Sequence, residues 1–380
     1  MSTPSPLREH PVAEAAIVDT IRRLVECESP SRDHAAVARS ADLVDAIGTE
    51  MLGVAPERIE VEGVAHLRWR FGSSTRVLLL AHHDTVWPMG TLQRLPFDVQ
   101  AGVLTGPGSF DMKTGLAMAL HAVASLDDRD GVTLLVTGDE ELGSPRSRAL
   151  IEETARGASA ALVLEASADG GALKTGRKGV SLYEIVVSGR AAHAGLEPEK
   201  GVNASVELAH LTIAAAALSD AVAGTSVTPT LAASGTTTNT VPAAAQLWID
   251  VRARTAGELE RVDAALRAYR PVTPGASIDV RGGVNRPPLE PGMSATLFAL
   301  AARLAKRLGL APLQHVAVGG ASDGNFTAGL GVPTLDGLGA VGGGAHAEDE
   351  HVLVEEIVPR TRLLTELVTE ISRTEEPWHN

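Results

Sequence analysis

The chain has 380 residues, a length at which one hydrophobic core gives way to two, so two domains are the first expectation. Hydrophobic residues make up 44% and charged residues 21%, and a formal net charge of -14 with no dense Lys/Arg run argues against nucleic acid or an anionic membrane as partner. Cys27 is the only cysteine, so no intrachain disulfide can form, and no run of about 18 apolar residues offers a membrane span.

The first residues, "MSTPSPLREHPVAEAA", lack a basic stretch ahead of an apolar segment, so no signal peptide is expected. With a single cysteine, a reducing, cytoplasmic setting is the natural expectation. From residue 11 to 27 apolar positions recur at helical spacing, ending at "ESPS", and a second helix is expected over 34–52. Strands and helices then alternate: strands at 59–71 and 76–81, a helix at 113–126, a strand at 132–137, a helix at 145–155 and a strand at 160–165. The runs "VLLL", "VTLLVT" and "ALVLE" are continuously apolar, as strands covered on both faces are. This predicts an α/β layered sheet.

Between 179 and 287 the pattern changes to strand "VSLYEIVVSG", helix 203–219, strand 225–233, strand "AQLWIDVRAR", helix 256–269 and strand "SIDVRG". That order is βαββαβ, the ferredoxin-like unit. After "NRPPLEPG" the α/β character resumes with a helix at 294–308, strands "VAVG" and "VPTLDGLG", and a last helix at 352–373. The expected organisation is a catalytic α/β domain, 1–178 with 288–380, interrupted by an inserted domain at 179–287.

Acid and histidine clusters fall at the ends of these strands. In "AHHDTVW" (81–87) side chains alternate, so His82 and Asp84 share one side and His83 faces the other. A carboxylate two residues from a histidine can fix its tautomer, as metal-bound histidines require. A polar strand end would read the same way. In "GPGSFDMKTG" (106–115) a Gly/Pro-rich turn delivers Asp111 ahead of a helix, where an aspartate also serves as a cap. The spacing is not that of a phosphate-binding loop. Asp139, Glu140 and Glu141 end "LLVTGDEELGS", Glu165 ends "ALVLEAS", and His346 lies in "GGGAHAEDE".

Together they say more than singly. Ligand sites in open α/β sheets lie at the C-terminal ends of strands, where these clusters fall. Two histidines among carboxylates suit zinc better than magnesium or calcium. Two metals sharing one carboxylate need one histidine and one terminal acid each, and His82, Asp111, Glu141, Glu165 and His346 close that count. Glu140 is left beside them as a general base.

These residues resemble the two-zinc exopeptidases and amidases that include glutamate carboxypeptidase, aminoacylase, acetylornithine deacetylase and succinyl-diaminopimelate desuccinylase. The resemblance spans nearly the whole chain, with five motifs in the family order, and is greatest to the glutamate carboxypeptidase branch. It implies a zinc-peptidase-like α/β/α catalytic domain with an inserted ferredoxin-like lid and dimerisation domain, and two zinc ions per chain, with cobalt or manganese as substitutes. His82 and Glu165 would bind the first zinc, Glu141 and His346 the second, and Asp111 would bridge them, followed by a cis peptide to Met112. Asp84 would orient His82, and Glu140 would be the base.

In the inserted domain the resemblance makes His193, in "SGRAAHAGLEPEKGVNAS", the histidine that reaches the partner's site in a homodimer to stabilise the oxyanion. Asn239 in "TTTNTVP" and Arg252 in "DVRAR" match pocket positions, and Arg286 in "GGVNRPPLE" matches an arginine that binds the substrate carboxylate. An arginine fork fits two carboxylate oxygens. Hinges near 178 and 287 would close the domains. Asp111 is not the cysteine of the auxin-conjugate amidohydrolases. The implied activity is hydrolysis of an N-acyl amino acid or short peptide, glutamate-type carboxypeptidase action being favoured. Deacylation of an N-acyl amino acid or amine is the alternative, and a non-catalytic zinc-binding homologue is the alternative of a different class.

Overall fold

Leu79, Leu134 and Leu162 pack to one face of a sheet and Leu78, Leu80 and Leu135 to the other, so successive residues of the same strands feed two separate apolar clusters. Each such leucine contributes about 1.5–3 kcal/mol on burial. The computed structural model describes residues 13–374, and the chain forms two compact units. One holds the chain up to Thr175, Pro291–Ala317 and the chain from Ser322; the other holds Gly176–Glu290 and Val318–Ala321.

The first unit is built on a six-stranded sheet. Its order is Glu57–Val61, Val64–Arg70, Val132–Thr137, Val77–His82, Ala160–Val163 and Thr334–Leu335. The last four strands run parallel, and the first two are antiparallel. All residues of the strands at 77–82, 132–137 and 160–163 are buried. Register pairs His82 with Thr137 and Leu80 with Val163, so 82, 139–141 and 165 emerge along one edge. The helix Thr114–Ala124 packs close beneath: a Cβ on Gly115 would lie 2.0 Å from the carbonyl of Leu164, which only glycine permits. Among the described residues no helix is long and apolar enough to cross a membrane.

Three expectations needed correction. The strand expected at 59–71 is a hairpin, because Glu62 and Gly63 take φ of 48° and 79° and turn the chain in two residues. The strand "VPTLDGLG" shrinks to Thr334–Leu335. The last helix runs Val354–Arg373, its expected start being the strand His351–Leu353, which joins a small sheet with Gly342–Gly343, Val103–Thr105 and Asp98–Gln100.

In the second unit the strands Gly179–Ser188, Ser226–Ser234, Ala244–Ala253 and Ser277–Arg286 form an antiparallel sheet with spatial order second, third, first, fourth. With the helices Ala204–Ala216 and Ala256–Ala268 this is the ferredoxin-like βαββαβ arrangement. Tyr183, Ile185 and Val187 join Leu247, Ile249 and Val251 against Leu211, Val262 and Leu266 from the helices. One face of the sheet is thus packed and the other is open, which accounts for the alternating burial along the strands.

Candidate metal centre

His82 ends its strand with its side chain 1% exposed. Its Nδ1 lies 3.0 Å from the carbonyl of Asp84 and 3.4 Å from that residue's carboxylate, which places the proton on Nδ1 and aims the Nε2 lone pair the other way. Nε2 is 3.4 Å from Asp111 Oδ1 and 3.6 Å from Glu165 Oε1. On the opposite side of the same aspartate, His346 Nε2 is 3.3 Å from Asp111 Oδ2 and 3.2 Å from Glu141 Oε2. His82, Asp111 and Glu165 form one candidate metal cluster, and Asp111, Glu141 and His346 a second.

The donors fit a cation. Buried polar atoms nearly always find hydrogen-bond partners, yet His82 Nε2, Asp111 Oδ1 and Glu141 Oε1 have none. Atoms held about 2.0–2.2 Å from one ion in tetrahedral array lie roughly 3.3–3.6 Å apart, and the histidine-to-carboxylate distances in the two sets run from 3.2 to 3.6 Å. Charge points the same way. Burial disfavours the charged form of His82, but Asp111, Asp84 and Glu165 outweigh it and raise its pKa well above the ordinary value. Asp111 and Glu141 push His346 up to about 10. Burial likewise opposes ionisation of Asp111, while His346 and His82 hold its carboxyl well below the usual range. The same acids that draw protons onto two imidazoles present negative charge to a cation, which must displace those protons to bind.

The backbone delivers Asp111 and His346 by unusual routes. The Asp111–Met112 peptide is cis. His346 adopts φ of 62° at the end of a glycine run, a left-handed conformation that costs a non-glycine residue of order 1–3 kcal/mol and recurs at functional sites.

Comparison with known proteins identifies the family. The profile of peptidase family M20/M25/M40 matches residues 78–370. The chain belongs to that family. It is 31% identical over 379 residues to carboxypeptidase G2 of Pseudomonas sp. (strain RS-16), covering 94% of this chain and 90% of that protein. It is 29% identical over 343 residues to succinyl-diaminopimelate desuccinylase of Caulobacter vibrioides (strain NA1000 / CB15N), covering 81% and 84%. The solved structure of aminopeptidase PepT from Bacillus cereus ATCC 10987 superposes with a TM-score of 0.75 at 23% identity, over 95% of this chain and 99% of that one, which shows a common fold. This M20 peptidase is a hydrolytic enzyme of the metal-dependent, amide-cleaving kind, and the non-catalytic alternative falls away.

In this M20 peptidase the acidic triplet divides its labour. Asp139, fully buried, accepts the N–H of Arg146 (2.8 Å) and the hydroxyl of Ser147 (2.6 Å), which secures the turn before the helix Arg148–Ala155. Glu140 is buried and Glu141 joins the second candidate metal cluster. The Asp84 carboxylate accepts the N–H of Glu140 at 3.2 Å and of Glu141 at 3.3 Å, so Asp84 holds both acids through the backbone besides contacting His82. His83 faces away, its Nε2 on the carbonyl of Ala65 at 3.2 Å, and burial lowers its pKa to about 4, which keeps it neutral.

The remaining sequence-derived residues lie in the second unit. His193 is exposed; its Nδ1 accepts the N–H of Gly195 (3.1 Å), leaving the proton on Nε2. Exposed Asn239 accepts the N–H of Ala194 through its carbonyl (2.9 Å), and Thr240 pairs with His193, so 193 and 239 share one end of this unit. Arg252 closes its fork on Asp250 at 2.8 and 2.9 Å. Arg286 is buried at the end of its strand, beside Val180.

Several supporting residues escaped sequence reasoning. Ser29 donates its hydroxyl to the carbonyl of His83 (2.6 Å) and Ser31 to that of Thr85 (3.0 Å), so "ESPS", read as a mere helix end, braces the metal strand. Glu350, 3% exposed, accepts four N–H groups around the Asp111 turn.

Proposed function

We propose that this M20 peptidase hydrolyses the amide bond of an N-acyl amino acid or short peptide and releases the C-terminal amino acid, with glutamate-type substrates favoured. The observation that carries this reading is the pair of overlapping donor sets sharing Asp111, with Glu140 next to them in sequence. His82, Asp111 and Glu165 would hold one zinc ion and Asp111, Glu141 and His346 a second. The ions would supply Lewis acidity toward water and the scissile carbonyl, and cobalt or manganese could substitute.

The protein's own groups do the rest. Glu140, held by the Asp84 carboxylate, takes the proton of the attacking water and passes it to the departing amine. His193 donates its Nε2 proton to the oxyanion from the partner copy of a homodimer. Arg286 grips the substrate carboxylate with its fork. Asn239, close to His193 in the sheet pairing, lines the same pocket.

Dimerisation through the inserted unit is supported by its surface. The edge strand "SVTPTLAAS" (Ser226–Ser234) carries no charge, whereas the opposite edge strand carries Asp279, Arg281 and Arg286. Pro229 and the register shift after it interrupt this edge, so pairing with a second copy would use the uncharged stretch Leu231–Ser234. Leu231 on that strand and Val206 and Ile213 on the adjacent helix are exposed. A reducing, cytoplasmic setting fits the single Cys27.

A second reading, deacylation of an N-acyl amine, draws support from the desuccinylase relative. Amino-acid release from N-acyl-glutamate, N-acyl-aspartate, N-acyl-glutamine and N-acetylornithine separates the two. Fastest release from N-acyl-glutamate is expected. Preference for N-acetylornithine would favour the second reading, and no release by metal-loaded protein from any compound would overturn both.

A further inference from the structure

Glu348, Asp349 and Glu350 are consecutive acids, but only the last is buried. Burying a carboxylate is costly unless its lone pairs are filled. Glu350 fills all of them. Oε2 accepts the indole N–H of Trp87 at 2.7 Å and the N–H of Gly108 at 2.8 Å; Oε1 accepts the N–H of Phe110 at 2.9 Å and of Asp111 at 3.0 Å. About four acceptor sites is a carboxylate's full capacity.

The sources of those donors matter more than their number. Trp87 follows the strand that ends in His82, and Gly108, Phe110 and Asp111 form the turn that presents the shared ligand. Glu350 itself follows His346 by four residues through two linked turns, Ala347 N–H to Gly344 O (2.9 Å) and Glu350 N–H to Ala347 O (3.0 Å). One side chain therefore ties together three segments that carry metal ligands. One of its bonds is to the peptide N–H of Asp111 itself, fixing the plane from which that side chain departs. Asp111 must serve two sides at once, with Oδ1 toward His82 and Oδ2 toward His346. A rotation that improves one side spoils the other.

We propose that Glu350 is a positioning residue that aims Asp111 at both metal ions, so that both sites weaken together when it is altered. This rests on the two-ion reading above. A residue that merely stabilised its loop would leave metal affinity unchanged once the chain is folded. A residue that aims the bridge alters both sites.

The test is titration of the full-length, metal-free chain with Co(II), followed by calorimetry and by the visible absorption of the bound ion. Wild type should bind two equivalents. In E350Q the amide turns N–H groups toward N–H donors; both equivalents should weaken, by about 10–100-fold each, with an altered spectrum. E165Q should weaken one equivalent only. E350D keeps the charge but withdraws it by one methylene and should show an intermediate loss in both; it carries the test if E350Q does not fold. A folded E350Q or E350D with wild-type affinity and spectrum, or a loss confined to one equivalent, would overturn the proposal alone. Fewer than two equivalents in wild type would overturn the two-ion reading and the proposal with it.

Discussion

The fully buried carboxylate of Asp84 accepts the main-chain N–H of Glu140 at 3.2 Å. The strand that supplies the proposed ligand His82 is thereby followed by the residue that holds the proposed base, Glu140. Replacing Glu140 by Gln keeps this backbone bond and the shape of the side chain but removes its basicity. Turnover should fall by about 100- to 10,000-fold while metal content stays at the wild-type level. Parallel kcat and metal measurements check this; surviving activity would move the base elsewhere.

Arg286→Ala should raise KM for substrates with a free α-carboxylate by roughly 10- to 100-fold, the value of lost charge-assisted hydrogen bonds. The corresponding carboxamides should be affected far less. Equal effects on acid and amide would remove Arg286 from the pocket.

The uncharged edge strand makes a prediction about assembly. Leu231→Lys together with Ile213→Glu places charge on the strand and helix proposed to meet their copies. Analytical ultracentrifugation should show a dimer for wild type and a monomer for the double variant. If His193 acts across the interface, kcat falls with the dimer while metal content does not change.

Proton linkage at His346 has a definite sign. Its pKa rises from 6.5 to about 10 in the metal-free fold, so the folded chain holds this proton more tightly than the unfolded chain does. The stabilisation is complete below about pH 6.5 and is lost as pH climbs to about 10. In metal-free protein, the drop in melting temperature caused by His346→Ala should therefore be larger near pH 6.5, with the partner acids ionised, than near pH 10, where this proton is being lost. The opposite trend would mean that Asp111 and Glu141 do not face this imidazole.

Much of this centre was legible before the fold was known, for a chemical reason. Metal ions accept few residue types, and His82, Glu141 and Glu165 each close or follow an apolar run of the kind a covered strand shows. The hairpin at 57–70 was not legible, because Glu62 adopts a left-handed turn conformation that its side chain does not advertise. Strands of two or three residues, such as Asp98–Gln100, are too short to show a period. Glu350 was hidden for another reason. Its composition matches that of exposed Glu348 beside it, and only tertiary burial separates a positioning acid from a solvated one. Ser29 and Ser31 likewise reveal their role only once the strand they brace lies beside them.

A two-metal centre bridged by Asp111 can be tested by counting metal with mass spectrometry on wild type and Asp111→Asn. Two zinc ions per wild-type chain, and loss of both on this one substitution, is the predicted result. One ion per wild-type chain, or retention of either ion by the variant, would contradict the bridge.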